Sequence, residues 1–173
     1  MKKKISLILL LTIITSISAC QEEEPTNVWI DNNCSDEEIG LSMVAIHKLN
    51  AALENKTLNL KGVVNPGPHY PTDGKTMIIC KYDIPDDEDR LGTWTGYDTL
   101  MFIPNIKKEN TDYDLAFLNA VMHELGHLAC GSHSSTDEHV EDPNSIMNWR
   151  ITLPPVTEYS DIDIQMFEEQ CGL

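Results

Sequence analysis

Apolar and polar positions recur along the chain with two different periods, which predict a fold of mixed helices and strands. Apolar residues at spacings of three and four predict a helix that begins after Ser35, where Glu38 completes a capping box, and continues to about Glu54. A shorter helix is predicted after Ser160, with Asp163 in the same relation to its cap. Short apolar or alternating runs bounded by turn residues predict strands within residues 28–30, 57–64, 76–82 and 90–103.

The longest apolar stripe belongs to a predicted helix that begins after Thr111. Its members follow helical spacing and are Leu115, Leu118, Val121, Met122, Leu125 and Leu128. His123 and His127 are four residues apart, so their side chains lie one above the other on the same side of this helix. Two neutral imidazoles in this arrangement can occupy two corners of a zinc tetrahedron. Glu124 is rotated from His123 by about 100°, where it can reach a metal-bound water and act as a general base.

A third ligand has to come from beyond the end of this helix. His133 follows His127 by six residues, so it would point away from the metal if the helix continued. Gly131 allows the sharp turn that would bring His133 back to the ion. His139, in the polar segment that follows, is the rival third ligand. Three imidazoles around one ion leave a fourth position open for water, as in catalytic zinc sites.

At these residues the chain resembles the metzincin clan of zinc endopeptidases, and within it the matrixin-like families. His123, Glu124, His127 and His133 fall on the signature His-Glu-x-x-His-x-x-Gly-x-x-His, with Cys130 in place of the signature glycine. The methionine turn of that clan is matched by Ser145-Ile146-Met147-Asn148, fourteen residues after His133. The resemblance implies that Met147 forms an apolar floor below the zinc.

The same resemblance implies the fold and the reaction. The expected fold class is α+β and zincin-like (metzincin): a twisted, mostly parallel sheet with an edge strand, two long helices, and a small C-terminal subdomain that ends in a helix. The expected reaction is hydrolysis of a peptide or protein substrate, with one catalytic zinc ion and with Glu124 as the base. An edge strand would align the substrate by main-chain pairing. Matrixin domains often bind calcium, but Asp86–Asp89 lack the spacing of a calcium loop, so a solvated charge run is favoured there.

The beginning of the chain has the pattern of an exported lipoprotein. Three lysines precede a short apolar run, and Ile17-Ser18-Ala19-Cys20 resembles a bacterial lipobox. This pattern predicts a signal peptide at residues 1–19, lipidation of Cys20, an acidic tether at residues 20–26 and a catalytic domain at residues 27–173. The protein is therefore expected at the outer membrane of a bacterium, anchored through the lipid. The acidic run after Cys20 resembles the surface-export signals of Bacteroidetes-type lipoproteins, and a solvated tether would have the same composition.

The charge of the chain excludes one class of partner. Removing residues 1–19 takes away three of the 12 basic residues and none of the 28 acidic ones, which changes the net charge from −16 to −19. Such a chain repels the phosphates of nucleic acids, so no nucleic-acid partner is expected. A monomer is expected.

Four cysteines remain after Cys20, and an even number in an exported protein predicts two disulfides. They can pair in three ways. We expect Cys34 to bond Cys171, which would tie the ends of the domain, and Cys80 to bond Cys130, which would fix the metal helix to the sheet. Cys130 as a zinc ligand is the weaker alternative, because His133 already fits the third position.

Two other functions are compatible with the motif. One is a non-catalytic zinc-binding surface lipoprotein on a degenerate protease fold, and the other is a metal-scavenging site. Glu124 argues against the first, since a protein that only binds has no need of a general base beside the metal.

Overall fold

In the part of the chain that the structure describes, a five-stranded sheet and three helices make up the fold. The structure is a computed structural model, and it describes residues 26–53, 58–65, 76–80, 92–94, 99–102, 112–130, 139–148 and 154–171. Along these residues the elements are β1 (Thr26–Asp31), α1 (Asp36–Ala52), β2 (Leu58–Val64), β3 (Thr76–Ile79), β4 (Gly92–Trp94), β5 (Thr99–Phe102), α2 (Tyr113–Cys130) and α3 (Asp161–Cys171). The predicted mixture of helices and strands is confirmed.

The sheet is mostly parallel and has one antiparallel edge. Its strand order is β2-β1-β3-β5-β4. β1 pairs in parallel with both β2 and β3, and β3 pairs in parallel with β5. β4 runs antiparallel to β5 and lies at the end of the sheet. β4 and β5 both contact α2, so the antiparallel edge lies on the same side of the molecule as the histidine helix.

The core lies where α1 and α2 pack against each other and the sheet. Its buried side chains include Val28, Ile30, Ala45, Leu49, Val121, Met122, Leu125, Met147 and Phe167. Burying a side chain of this size stabilises the fold by roughly 1.5–3 kcal/mol relative to exposure. The predicted stripe of α2 is buried except at its first member, Leu115, which is 41% exposed.

The first turn of α1 also holds the start of α2. The predicted capping box is present: Glu38 N donates to Ser35 Oγ at 3.3 Å, and Ser35 N donates to Glu38 Oε2 at 2.7 Å. The other oxygen of the buried Glu38 carboxylate accepts a hydrogen bond of 2.7 Å from the Tyr113 hydroxyl. Burial and this carboxylate raise the pKa of Tyr113 above its ordinary value. The hydrogen bond between Glu38 and Tyr113 joins the first turns of α1 and α2, and it therefore helps to fix the position of α2 along α1.

The observed disulfide corrects both predicted pairings. Cys34 is bonded to Cys80, with Cα atoms 5.1 Å apart. Cys34 follows β1 and Cys80 follows β3, and these strands are parallel neighbours, so both cysteines lie at the same edge of the sheet. The predicted pairs Cys34–Cys171 and Cys80–Cys130 are therefore wrong. Cys130 is also disulfide-bonded, which excludes it as a zinc ligand.

Several predictions concern residues that the structure does not describe. The signal peptide, the lipidated Cys20 and most of the tether lie outside the described residues, as do Asp86–Asp89 and His133. In the part of the chain that is described, no helix is long and apolar enough to cross a membrane.

Candidate metal centre

Helix α2 brings two histidines together, as their spacing predicts. The ring centroids of His123 and His127 are 4.8 Å apart, and their Nε2 atoms are 3.1 Å apart. Tetrahedral coordination with Zn–N bonds of about 2.0–2.1 Å requires nitrogen atoms roughly 3.3 Å apart. The two Nε2 atoms are therefore already close to the separation that a shared ion requires.

His139 completes the cluster from the segment that follows α2. Its ring lies 5.2 Å from that of His123 and 4.9 Å from that of His127, measured between centroids. One ring nitrogen from each of the three histidines lies within 4.8 Å of the other two. Among the described residues, these three histidines form a group that can hold a metal ion.

This position was predicted for His133, with His139 as its rival. Because His133 lies outside the described residues, its role as a ligand stays a prediction. His139 is placed by the way its segment folds back on itself: Val140 N donates to Met147 O at 3.0 Å, and Ser145 N donates to Asp142 O at 3.0 Å. The sequence indicates the position of His139 only indirectly, because His139 lies eight residues before Met147 of the predicted methionine turn.

The surroundings keep the two helix histidines neutral, which is the form that binds metals. Burial, followed by the neighbouring imidazole of His127, lowers the pKa of His123 to about 3. Burial and His139 lower the pKa of His127 to about 4. Both pKa values lie below the ordinary value of 6.5, so both rings carry a free nitrogen lone pair at neutral pH.

A backbone carbonyl selects the tautomer of His123. His123 Nδ1 lies 2.8 Å from the carbonyl oxygen of Ile146. A carbonyl oxygen can only accept a hydrogen bond, so Nδ1 carries the proton and donates it. The lone pair is then on Nε2, the atom that faces His127. Orientation of a metal-binding histidine by a hydrogen bond on its other nitrogen is the usual arrangement in metal sites.

Glu124 is not one of the three converging residues of this cluster. It follows His123 directly on α2 and is 6% exposed, so its side chain is largely withdrawn from solvent. Successive residues of a helix are rotated by about 100°, so Glu124 lies on a neighbouring side of α2 rather than in line with His123 and His127.

The turn that contains Ile146 packs directly below α2. Met147 is fully buried, and its side chain lies against Gly126, which is between the two helix histidines in the sequence. A Cβ atom at Gly126 would overlap Met147 Sδ and would lie 3.2 Å from Met147 Cε and 3.3 Å from Phe167 Cζ. The absence of a side chain at Gly126 lets the helix approach the turn closely enough for His123 to reach the Ile146 carbonyl.

Gly126→Ala is therefore expected to destabilise the protein. Alanine in a helix interior is ordinarily favoured over glycine. Met147 would have to move away from the new Cβ atom, however, and because it is fully buried the shift should cost about 1–3 kcal/mol and reverse the sign. The measurement is the free energy of unfolding in a denaturant titration. Gly40→Ala is the matched control, because Gly40 lies on the exposed side of α1 with no atom within 4 Å of an added Cβ. Gly40→Ala should raise the free energy of unfolding by up to about 1 kcal/mol. An equal change in the two variants would contradict the expected clash between residue 126 and Met147.

Asp163 has a second role that its spacing from Ser160 does not predict. The residue was predicted to complete the capping box of the last helix, and it does: Ser160 N and Ser160 Oγ donate to Asp163 Oδ2 at 2.7 and 2.8 Å. The same carboxylate also accepts hydrogen bonds from the backbone N–H groups of Ile146 and Met147, each at 3.1 Å, and from the Ser145 hydroxyl. This second set joins α3 to the turn below the histidines.

Comparison with protein-family models found no match for this chain, and comparison with curated proteins found none either.

Proposed function

We propose that this protein is a zinc-dependent endopeptidase with a zincin-like, metzincin-type fold. The observation that carries the proposal is the cluster of His123, His127 and His139, together with the buried Glu124 that directly follows His123 on α2. Three neutral imidazoles leave a fourth position of a tetrahedral ion for water or substrate, which is the donor set of a catalytic site. The mostly parallel sheet with one antiparallel edge strand supports the fold assignment.

The donor atoms favour zinc. Imidazole nitrogen is a ligand for zinc, copper, iron and nickel, whereas calcium and magnesium prefer oxygen. Among the imidazole-binding metals, zinc accepts tetrahedral geometry without redox chemistry. His139 is proposed as the third ligand, with His133 as the alternative. A calcium site is not proposed.

The chemistry divides between the ion and Glu124. Zinc held by the three imidazoles would lower the pKa of a bound water and polarise the scissile carbonyl. The Glu124 carboxylate takes the proton from the attacking water at one of its oxygens, and it later delivers that proton to the nitrogen of the leaving amine. The low solvent exposure of Glu124 strengthens its interaction with both partners, since water screens charges less at a buried site.

Strand β4 is the proposed docking edge for the substrate. It is the last strand of the sheet, runs antiparallel to β5 and contacts α2, which carries the histidines. An extended peptide could add to this edge by main-chain hydrogen bonds, so that affinity would depend little on the peptide's side chains. The proposed substrate class is therefore an extended segment of a peptide or protein.

The proposed setting is the outer membrane of a bacterium, to which a lipidated Cys20 would anchor a monomeric catalytic domain. Support comes from the basic and apolar residues before Cys20 and from the Cys34–Cys80 disulfide, because disulfides persist in oxidising compartments. A lipid anchor would leave the acidic domain free to meet protein substrates at the surface of the membrane.

Metal removal tests the proposal. The purified full chain is incubated with a library of unstructured peptides, with and without a zinc chelator, and cleavage products are identified by mass spectrometry. We expect cleavage that stops on chelation and returns when one equivalent of zinc is added. Persistent cleavage after the metal has been removed would reject a zinc-dependent reaction. Binding of one zinc ion without cleavage of any library peptide would instead favour the non-catalytic lipoprotein.

A further inference from the structure

We infer that Asp163 is a positioning residue for the metal centre, and that it acts by holding the carbonyl of Ile146 against His123. This inference rests on the proposed metal site but not on proteolysis. The carboxylate of Asp163 is fully buried and accepts five hydrogen bonds, three from residues 145–147 and two from Ser160. Among the described residues, the donors to this carboxylate are hydroxyl and backbone N–H groups.

The contacts form a continuous path from α3 to the metal cluster. Asp163 fixes Ser145, Ile146 and Met147 through one hydroxyl and two backbone N–H groups. The Ile146 carbonyl, whose own N–H is held by Asp163 Oδ2, accepts the proton of His123 Nδ1 at 2.8 Å. The bonds from Asp163 to the turn are buried and the bond from His123 to Ile146 is part-buried, so a lost partner is costly along this path. The position of the carbonyl that selects the tautomer of His123 therefore depends on Asp163.

Two further bonds fix Asp163 relative to the histidine helix. Asn119 Nδ2 donates to Val156 O at 2.7 Å, and the Tyr159 hydroxyl donates to Met122 O at 2.7 Å. Both join α2 to the segment that leads into α3, and Met122 directly precedes His123. The N-terminus of α3 is thus anchored on α2 from one side and on the turn from the other. Asp163 lies between these anchors.

The network predicts what each oxygen of Asp163 contributes. Oδ1 accepts from the Ser145 hydroxyl and from Met147 N, and Oδ2 accepts from Ile146 N and from the N-cap Ser160. An asparagine at this position has one amide NH₂ in place of an acceptor. Whichever way that amide is oriented, at least one N–H of the turn faces a donor and has to move. Substitutions can therefore distinguish the capping of α3 by Asp163 from its hydrogen bonds to residues 145–147.

The test compares zinc affinity in Asp163→Asn and in wild type, measured on the full chain by competition with a chromophoric chelator. We expect zinc to bind roughly 10–100-fold more weakly in the variant, the usual loss when an outer partner of a ligand is removed. We also expect the ¹⁵N signal of His123 Nδ1 to lose its protonated-nitrogen shift in the metal-free protein. If the variant folds and both its zinc affinity and this signal match wild type, Asp163 does not position the ligand.

Two control variants separate positioning from stability. Asp161→Asn removes the same charge from the same first turn at an exposed position, so it should leave zinc affinity unchanged. Ser160→Ala removes the cap but none of the bonds from Asp163 to residues 145–147, so it should lower the unfolding temperature with less effect on zinc affinity. Equal loss of affinity in Ser160→Ala and Asp163→Asn would reduce Asp163 to a helix cap.

If Asp163→Asn does not fold, Ser145→Ala replaces it in the test. This substitution removes one bond to Asp163 and leaves the two backbone bonds to the turn. Zinc affinity should fall several-fold, and an unchanged affinity would overturn the inference. Because the measurements are zinc binding and a spectroscopic signal, they remain decisive even if the protein cleaves no peptide.

Discussion

His139→Ala is expected to weaken zinc binding by roughly 100-fold or more. Removing a group that only orients a ligand already lowers metal affinity by about 10–100-fold, and His139→Ala removes a ligand itself. His139 supplies one of the three nitrogen atoms that converge, and two imidazoles alone do not make the three-ligand set of a catalytic zinc site. His133→Ala should leave most of the zinc affinity intact. Both affinities are measured by chelator competition on the full chain.

The control for this pair is His47→Ala, because His47 is exposed on α1 and absent from the cluster. It removes an imidazole without altering the site, so it reports any general effect of losing a histidine. The result that would contradict the proposal is the reverse order, in which His133→Ala loses zinc and His139→Ala keeps it. The spacing of the family signature would then give the third ligand, and His139 would be a neighbour of the site.

The comparison of His123 and His139 shows what the sequence could predict of the site. The proximity of His123 and His127 was predictable because helical periodicity alone determines how residues four apart are oriented. His139 is brought to the cluster by backbone bonds within residues 140–147, whose path depends on packing below α2. No periodicity describes such a segment, so the spacing of a known signature favoured His133.

The cysteines show the same limit at the level of the fold. Cys34 and Cys80 are joined because β1 and β3 are neighbours in the sheet, although β2 lies between them in the sequence. The approximate location of the strands was predictable from local patterns, but the order of strands depends on contacts between distant segments. Asp163 combines both cases: its capping role follows from its distance to Ser160, whereas its bonds to residues 145–147 follow from tertiary packing.

Glu124→Gln is expected to lower kcat/KM for peptide cleavage by about 10²–10⁴-fold, the usual contribution of a general base. Glutamine has nearly the same shape as glutamate, so it fits the same buried position, but it cannot take a proton from water. Because Glu124 is not one of the three converging ligands, the variant should retain one zinc ion per chain. Cleavage of a fluorogenic peptide and zinc content by mass spectrometry give the two quantities.

The matched control for Glu124→Gln is Glu141→Gln, which makes the same change at an exposed position between His139 and Met147. It should cleave at the wild-type rate, because an exposed carboxylate in the loop has no role in the proposed proton transfer. Loss of zinc along with cleavage in Glu124→Gln would make Glu124 a ligand rather than a base. Undiminished cleavage with zinc bound would require another base. Only retained zinc together with lost cleavage supports the proposed chemistry, because it separates holding the ion from moving the proton.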